Sequence, residues 1–430
     1  MSESRKMTQN NFHDLQRQDF RNRLDHFLHP SGNVSIPDQL KGRLEPMRQM
    51  EDCFETRGAQ AFIWGPRGVG KTSLGHTACH EHGHLVEMVA AVACGKDTTF
   101  SQLMNDIFIK VVHSNKIDIK SRSIQASYEA FGFSFNGSTP SLAKEVKIEN
   151  INSASAFLNT IFSYAAFPSK IPVVIVDEFD LLENPDTLVS LSNLLKQISV
   201  DDVRVKFIFC GVARNLEGLL GAHESVERYV YGVELPPLSF EAIREIITDI
   251  ESEFDVYFHR GQQIRIAQIS SGYAGFTHLI LKNILLAMFE NRITENQVPD
   301  EIYKLGILRS AEQAATRLKT AYEIAIKQGT DRYAEVLWAT ANGQHFDRQF
   351  KDITDDYEKI MQKRPHRSGY DTAKNNASEL RNALNSLVTR KHLQKGKSGW
   401  YSFSDPMFRS YVRLVAEKDG VELGQESFPA

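Results

Sequence analysis

The chain of 430 residues has no apolar run long enough to cross a membrane, and its first thirty residues are polar and charged, unlike a secretory signal. It contains only four cysteines, Cys53, Cys79, Cys94 and Cys210, which show no paired spacing and fall in or near predicted core segments. We therefore expect reduced, buried thiols, a cytoplasmic protein and no membrane partner.

The chain also lacks a strong excess of either charge sign, because its formal net charge is −4. This value argues against a uniformly basic nucleic-acid-binding protein, although it leaves room for local basic patches. Hydrophobic residues make up 41% of the chain and charged residues 24%, as in soluble globular proteins. With 430 residues, the chain is long enough for two or three domains.

Residues 65–72 read Gly-Pro-Arg-Gly-Val-Gly-Lys-Thr, which is a complete phosphate-binding loop. An apolar run precedes the loop and a helix-forming stretch follows it, so that a helix would start at the lysine. Lys71 would reach the β- and γ-phosphates, and the Thr72 hydroxyl would bind Mg²⁺. The predicted nucleotide contacts are Gly65, Pro66, Arg67, Gly68, Val69, Gly70, Lys71, Thr72 and Ser73.

A second apolar run, Val173–Val176, ends in Asp177 and Glu178. A continuous apolar run is typical of a strand that is buried on both faces of a parallel sheet. Two carboxylates at its carboxyl end are costly unless they serve a charge, and open α/β sheets bind ligands at that edge. We predict that Asp177 holds Mg²⁺ and that Glu178 polarises the water that attacks the γ-phosphate, which favours hydrolysis.

Two further strands are predicted at 205–210 and 229–234, and the second is followed by Leu-Pro-Pro-Leu-Ser at 235–239. With the two nucleotide motifs and the Leu-Lys-Gly-Arg stretch at 40–43, the chain resembles an AAA+ P-loop ATPase over roughly residues 38–295. The nearest resemblance is to the branch of initiator, origin-recognition and transposon-regulator ATPases. It implies an α/β fold, with a parallel-sheet nucleotide domain followed by an α-helical lid, and ATP and Mg²⁺ as cofactors.

The resemblance also implies further parts of an ATPase site. An arginine before the last strand commonly serves the neighbouring subunit, which makes Arg228 the candidate finger of a nucleotide-dependent homo-oligomer. Alternatively, Arg228 is a surface arginine paired with a nearby glutamate. His278 stands where the lid's sensor arginine is usual, and it could still reach a phosphate. Cys210 and Gly211 stand where a polar sensor residue is usual, and both departures favour slow hydrolysis over a processive motor.

Changes in composition and in hydrophobic pattern divide the chain into predicted segments. These are a polar N-terminal arm at 1–37, expected to be mobile over residues 1–27, a nucleotide-binding core at 38–237, a helical lid at 238–329, a winged helix-turn-helix at 330–418 and a tail at 419–430. The core carries an insert at 114–152, which we interpret as a hairpin or extended segment that projects from the nucleotide domain. The resemblance implies that this insert tracks nucleic acid or a neighbouring subunit, and the alternative is a surface elaboration without a specific role. Long helices are predicted at 301–328 and 346–361, and a hairpin with a basic tip at 393–403.

The C-terminal segment contains a local basic patch. Between residues 361 and 400, only Asp371 and Glu379 oppose nine basic residues, namely Lys363, Arg364, Arg367, Lys374, Arg381, Arg390, Lys391, Lys395 and Lys397. A patch of this kind is the electrostatic footprint of a phosphate backbone and predicts binding to double-stranded DNA. However, winged helices also serve as protein-docking domains, and basic surface runs are often simply solvated.

A cluster of histidines follows the phosphate loop. His76, Cys79 and His80 would share one helix face, so a zinc site is conceivable from their spacing alone. We favour a structural role for them, because that helix packs against the sheet in the architecture that the resemblance implies.

Three functions are compatible with these observations. The leading hypothesis is an ATP-binding, slowly hydrolysing oligomeric switch that engages DNA through its C-terminal winged helix. The second is an ATP-gated signalling or defence regulator whose C-terminal domain docks a partner effector protein. The third is a scaffold that binds nucleotide without meaningful turnover. Nothing in the chain resembles a nuclease, protease or transferase active site, so any effector chemistry would belong to another protein.

Overall fold

A computed structural model describes residues 16–30, 40–113, 133–136, 139–142, 154–156, 158–159, 162, 169–221, 227–327, 332–362 and 377–424. The chain divides into two compact units. The sheet unit comprises Asn33–Pro66 and Gly70–Pro236, and the helical unit comprises Met1–Gly32, Arg67–Val69 and Pro237–Ala430. Among the residues described, no helix is both long and apolar enough to span a bilayer.

The strands are β1 Gln60–Trp64, β2 Val86–Ala93, β3 Phe133–Asn136, β4 Thr139–Leu142, β5 Ile171–Asp177, β6 Lys206–Gly211, β7 Val230–Glu234, β8 Arg348–Gln349, β9 Leu393–Lys395 and β10 Trp400–Phe403. The helices are α1 Arg17–Phe27, α2 Leu44–Glu55, α3 Lys71–Glu81, α4 Phe100–His113, α5 Pro185–Val200, α6 Ala213–Gly221, α7 Phe240–Phe254, α8 Arg260–Ser270, α9 Ala274–Glu290, α10 Asp300–Gln313, α11 Thr316–Ile326, α12 Arg332–Asn342, α13 Phe350–Gln362, α14 Ala377–Thr389 and α15 Pro406–Lys418.

Five strands of the sheet unit form a parallel sheet in the order β2-β5-β6-β1-β7. Residues 173–176 of β5 are fully buried, as expected for a central strand covered on both faces. In the register, Ile63 of β1 lies opposite Cys210 of β6, and Val176 of β5 lies opposite Phe209. The loops after β1 and β5 therefore leave the sheet at the same edge, and the predicted α/β parallel-sheet class is confirmed.

Part of the predicted insert is described, and it contains a short hairpin. Strands β3 and β4 pair antiparallel, with Asn136 opposite Thr139. All other residues between 114 and 152, including the predicted turn at 137–138, lie outside the described residues.

The segment predicted as a mobile arm contains helix α1. Phe20 and Leu24 of this helix are fully buried, and Leu28 just beyond it is almost fully buried. These side chains recur every fourth residue and form one apolar stripe, which packs on α7 and α9 through Phe254 and Phe289. The interpretation as a mobile arm was therefore wrong for residues 17–27, because a short apolar stripe within a polar segment is enough to dock a helix.

The lid helices, α7–α11, begin as predicted but break once. The Ser239 hydroxyl accepts a hydrogen bond from the Ala242 amide at 3.2 Å and caps α7. The long helix predicted at 301–328 is instead two helices, because Ala314 and Ala315 are extended, with ψ angles of 156° and 129°. No glycine or proline marks this break. It allows α10 to pack on α9 while α11 packs on α15, so tertiary packing overrides helix propensity here.

The C-terminal region, residues 332–418, contains α12–α15 and a three-stranded antiparallel sheet in the order β8-β10-β9. The predicted hairpin at 393–403 is present as β9 and β10. The helix predicted from Phe346 begins only at Phe350, because Arg348 and Gln349 pair with β10. Helix α15 was not anticipated from the sequence, although it is the most deeply buried helix of this region.

Candidate nucleotide site

The phosphate-binding loop joins β1 to the N-terminus of α3. Gly70 is the N-cap of α3 with φ of 96°, and Gly68 has φ of 86°, a left-handed conformation that favours glycine at both positions. The Gly65 amide donates to the Gly211 carbonyl at 3.3 Å, which ties the start of the loop to β6. The first amides of α3 have no partner within the helix, so the loop ends at a site suited to an anion.

Lys71 is the first residue of α3, and its side chain is 9% exposed. Its ammonium group donates to the carbonyl oxygens of Gly65 and Pro66, each at 3.0 Å. The structure thus holds a buried cation within the loop, next to the helix N-terminus. Around it, Ser73 and Val69 are buried, whereas Arg67 is exposed at the tip of the loop.

Thr72 and Asp177 meet across the sheet edge. The Thr72 hydroxyl donates to Asp177 Oδ2 at 2.7 Å, and the other carboxylate oxygen accepts the Glu178 amide at 2.8 Å. A hydroxyl and a carboxylate are hard oxygen donors, the ligand type that Mg²⁺ prefers. The two residues predicted as metal ligands are therefore adjacent, and their chemistry fits the metal that the resemblance implies.

Glu178 has an exposed side chain and an unusual backbone conformation. Its φ is 51°, a left-handed value that costs a residue with a Cβ some strain. The next residue, Phe179, is fully buried, with its ring edge-on to that of Phe62 at 5.5 Å. Buried Phe179 therefore anchors the chain just beyond a solvent-accessible carboxylate, which is the exposure that a water-activating residue needs.

Burial and the nearby carboxylates raise the pKa values of two cysteine thiols at the site. Burial raises the pKa of the Cys94 thiol to about 12, with further contributions from Asp177, Glu178 and Asp180. Cys210, at the predicted sensor position, is fully buried, and burial raises its pKa well above the ordinary value. Both thiols are therefore neutral, and Cys210 contributes packing rather than charge to this edge of the sheet.

Gly211 was not singled out as a packing residue from the sequence alone. A Cβ at this position would lie 3.0 Å from the Phe62 ring and 3.4 Å from Phe179 Cβ, so only glycine fits without a shift. Its carbonyl also accepts the bond from Gly65. A glycine that directly follows a buried strand was the available signal, because such glycines often mark a close approach.

The two residues predicted to complete the site lie apart from these groups along the chain. Arg228 is exposed in the turn just before β7. His278 belongs to the helical unit, where it is 5% exposed and its Nδ1 accepts the His29 amide at 3.2 Å. Burial, with a smaller contribution from His29, lowers the pKa of His278 to about 4. The imidazole is therefore neutral near pH 7.

The zinc site that the spacing of His76, Cys79 and His80 made conceivable has no counterpart among the described residues. No three side chains of histidine, cysteine, aspartate or glutamate come together there in a metal-binding group. Cys79 is buried in α3, whereas His80 is exposed, so the two do not share an environment. Burial lowers the pKa of His76, although Asp177 opposes this shift.

The basic residues of the C-terminal region divide into inward-facing and outward-facing side chains. Arg390 lies just beyond α14 rather than on it, and its guanidinium donates to the carbonyls of Ala325 at 3.3 Å and Ile324 at 3.5 Å. Arg390 therefore caps α11 instead of projecting from α14. Exposed side chains are those of Arg381, Lys391, Lys395 and Lys397, whereas Lys363, Arg364, Arg367 and Lys374 lie outside the described residues.

Comparisons with known proteins found one matching family and several similar structures. Residues 56–220 match the family described as AAA domain. The Walker-type ATPase PABY2304 of Pyrococcus abyssi shares 16% identity, with a TM-score of 0.51 over 89% of this chain and 99% of that chain. The ORC2 protein of Aeropyrum pernix, in ADPNP–ADP complexes, shares 12% identity, with a TM-score of 0.46 over 90% and 96% of the two chains. Cdc6p from Pyrobaculum aerophilum shares 13% identity, with a TM-score of 0.42 over 92% and 98%.

Among curated proteins, none matches this chain in sequence. At 16% identity, the similarity to the Pyrococcus ATPase shows a shared fold. The AAA match spans the loop with Lys71 and Thr72 and the strand that ends at Asp177. The resemblance to the initiator and transposon-regulator branch stays a prediction. Residues 56–220 of this chain thus match the AAA domain family, and the sheet unit has an AAA-type P-loop fold.

Proposed function

We propose that this chain is an ATP-binding, slowly hydrolysing switch ATPase that assembles through nucleotide at its subunit interfaces and engages DNA through its C-terminal region. The observation that carries the proposal is the 2.7 Å hydrogen bond between Thr72 and Asp177, next to the buried Lys71 at the N-terminus of α3. A hydroxyl, a carboxylate and a cation converge there at the N-terminus of α3. Together they match the charge pattern of a nucleoside triphosphate with a divalent cation.

Each residue of the site has a role in this proposal. Lys71 and the loop amides hold the phosphates, while Thr72 and Asp177 hold Mg²⁺, which neutralises charge on the phosphates when it is bound. Glu178 orients the attacking water and accepts its proton. Arg228 serves the neighbouring subunit, and its exposure just before β7 supports this role.

Slow turnover is supported by the two sensor positions. Cys210 is a buried neutral thiol, and His278 is a buried neutral imidazole that already accepts the His29 amide. Neither offers a positive charge to a developing phosphoryl charge at neutral pH. Since donors aimed at that charge are each worth a large rate factor, a site without them suits a switch better than a motor.

A winged helix is supported by the order of elements in the C-terminal region. Three helices, α12, α13 and α14, are followed by the hairpin β9-β10, and β8 adds the third strand. In this arrangement α14 is the recognition helix, and the hairpin tip is the wing. Arg381 lies on α14, and Lys395 and Lys397 lie at or beside the tip, all exposed. These side chains are the proposed phosphate and base contacts.

The nucleotide site is tested by two variants that separate binding from chemistry. Lys71→Ala should abolish ATP binding, because it removes the buried cation of the loop. Glu178→Gln should keep binding, since it is nearly isosteric, while hydrolysis falls by about two or more orders of magnitude, the scale of a positioned general base. Fluorescent-nucleotide binding and phosphate release measure the two steps. Equal turnover in Glu178→Gln and wild type would remove Glu178 from its role.

The DNA proposal is tested by the salt dependence of duplex binding to the full chain. Replacing Lys395 and Lys397 with glutamine should weaken binding to all sequences alike and flatten the slope of log affinity against log salt by up to about two units. The matched control replaces Lys304 and Lys418 with glutamine. These lysines are exposed on the lid and at the end of α15, and their replacement should leave the slope unchanged. Arg381→Ala should instead alter sequence preference. No duplex binding at low salt would reject the DNA partner.

One observation favours the alternative, an ATP-gated regulator whose C-terminal region docks a partner effector. An open groove of about 660 Å³ is lined by exposed Asp347, Asp352 and Asp355, and by Trp400, which is 37% exposed. This acidic face would repel a phosphate backbone. Under the DNA proposal, Trp400→Ser and Asp352→Asn leave duplex affinity unchanged or raise it. Loss of a cellular response in these variants, with ATP hydrolysis and DNA affinity intact, would favour a docked protein.

A further inference from the structure

Helix α15 carries two arginines that are buried against carbonyl groups. Arg413 is 1% exposed. Its Nε donates to the Ala341 carbonyl at 2.8 Å, and its Nη2 donates to that of Gly343 at 2.7 Å. Its Nη1 donates to the Gln268 carbonyl at 2.6 Å and to the Ser271 hydroxyl at 3.1 Å. One guanidinium therefore joins the end of α8 in the lid to the end of α12 in the C-terminal region.

Arg409 lies one turn earlier on the same face of α15 and is 2% exposed. Its Nη2 donates to the carbonyls of Gly343 and, at 3.2 Å, of Gln344. The guanidinium also stands over the Phe346 ring, 4.7 Å from the ring centre. Arg409 thus fixes the loop that follows α12.

The chemistry of these contacts explains why arginine is used. The last carbonyls of a helix have no amide partner within the helix, and they form the negative end of its dipole. A buried guanidinium offers five donors in a fixed plane, so a single side chain satisfies several carbonyls at once. Such contacts are shielded from solvent, and salt screens them far less than exposed ion pairs.

Other contacts also join the lid to α15 of the C-terminal region. The Ser410 hydroxyl donates to the Ser270 carbonyl at 3.0 Å in the core. Near the end of α15, Glu417 pairs with Arg265 of α8, and both side chains are about nine-tenths buried. Tyr303 of α10 donates to the same carboxylate at 3.3 Å. Three lid positions are therefore bound to α15 along its length.

The N-terminal helix is also fixed to the lid, through contacts with α7 and α9. The Phe20 ring is stacked on Phe289 of α9, with the ring centres 4.3 Å apart. Arg23 donates to Glu253 near the end of α7, both to its carboxylate at 2.7 Å and to its carbonyl at 2.6 Å. The lid therefore has α1 and α15 as packed neighbours, and all three belong to the helical unit.

We propose that α1, the lid helices and the C-terminal region form one rigid arm, in which Arg409 and Arg413 are positioning residues that lock the C-terminal region to the lid. Any movement of the lid on nucleotide binding then carries the C-terminal surface with it as one body. This coupling rests on the proposed function, because it requires that nucleotide moves the lid. The rigidity of the arm itself does not depend on nucleotide.

The rigidity is tested by distances between spin labels in the full chain. One label is placed on the lid at Tyr257→Cys and one on α13 at Glu358→Cys, since both side chains are exposed. The four native cysteines are buried and should react slowly with the label. Wild type should give one narrow distance, identical without nucleotide, with ADP and with a non-hydrolysable ATP analogue. A distance that changes with nucleotide would overturn the proposal, whatever the behaviour of any variant.

Substitutions then test the positioning role. Arg413→Met should broaden this distance distribution, and Arg413→Lys should broaden it less, because the ammonium keeps the charge but satisfies fewer carbonyls. Arg309→Met removes an ion pair with Glu290 inside the lid and is the matched control, so its distribution should remain narrow. Equal widths in Arg413→Met and Arg309→Met would overturn the role of Arg413. If Arg413→Met fails to fold, Arg413→Lys and the wild-type distances still decide the question.

A third label separates this inference from the proposed function. Val200→Cys is exposed on the sheet unit. On adding the ATP analogue, the distances from this label to Tyr257→Cys and to Glu358→Cys should shift together in wild type, whereas in Arg413→Met only the first should keep its full shift. If ATP binds and neither distance shifts, the coupling is overturned. If ATP does not bind at all, the proposed function fails, while the label pair within the arm still reports on its rigidity.

Discussion

Replacing Phe20 with alanine should release α1 from the lid without unfolding the rest of the helical unit. Phe20 is fully buried, is stacked on Phe289, and meets Phe254 edge-on with the ring centres 6.0 Å apart. Helix α1 has only 11 residues, and an isolated helix of this length is marginal in water. Its order therefore depends on docking, and Phe20 is the largest fully buried side chain that α1 contributes to that contact.

The expected shift in the docking equilibrium of α1 follows from a comparison of the contacts that this helix makes. Truncation of a fully buried phenylalanine to alanine costs about 3–5 kcal/mol. The ion pairs of Arg17 with Glu290 and of Lys282 with Asp25 each include a side chain that is more than 60% exposed, and such pairs contribute about 0–1 kcal/mol. Since each 1.4 kcal/mol is a factor of ten, Phe20→Ala should shift the docking equilibrium by roughly two to three and a half orders of magnitude.

Hydrogen exchange of the full chain measures this shift directly. Amides of residues 20–28 should lose most of their protection in Phe20→Ala, while those of α9 should keep most of theirs. Arg17→Ala is the matched control on the same helix and should change protection by less than about tenfold. The reasoning would be refuted if Phe20→Ala lost no more protection than Arg17→Ala, or if α1 were unprotected in wild type.

Three further predictions concern the sheet unit, the lid and assembly. Arg228→Ala should keep nucleotide affinity but lose ATPase activity and ATP-dependent assembly. Mixing this variant with Lys71→Ala should restore some ATPase activity, because each variant supplies the half of the shared site that the other lacks. If well-folded mixtures show no restored activity, a site shared between subunits is ruled out. Burial lowers the pKa of His278 from 6.5 to about 4. Between pH 6.5 and pH 4 the unfolded state therefore binds more protons than the folded state. The free energy of unfolding should consequently fall as the pH drops through this range. His278→Gln should reduce that dependence in denaturant titrations, and an unchanged dependence would contradict the assignment. Asn184 caps α5 through bonds from the amides of Asp186 and Thr187, so Asn184→Ala should cost about 1 kcal/mol in thermal unfolding, with Asn184→Asp as the conservative control.

The nucleotide domain could be predicted because its signals are local. The phosphate loop needs glycines at fixed offsets for its backbone conformation, and a doubly covered strand needs a continuous apolar run such as Val173–Val176. Carboxylates at the end of such a strand stand out because burial would penalise them. These features depend on neighbours within a few residues, so the sequence alone placed Lys71, Thr72 and Asp177 at one sheet edge.

Other features depend on partners that are distant in the chain. His278 has the chemistry of a phosphate ligand, yet only the fold shows that its ring is buried against the His29 amide. The sequence determined the AAA-type sheet, its phosphate loop and its acidic strand end. Only the tertiary structure decided that Arg390, Arg409 and Arg413 donate to backbone carbonyls. The sequence shows that an arginine is positively charged, but it does not show which group the guanidinium contacts. Distant helix ends create those carbonyl sites only when the chain has folded.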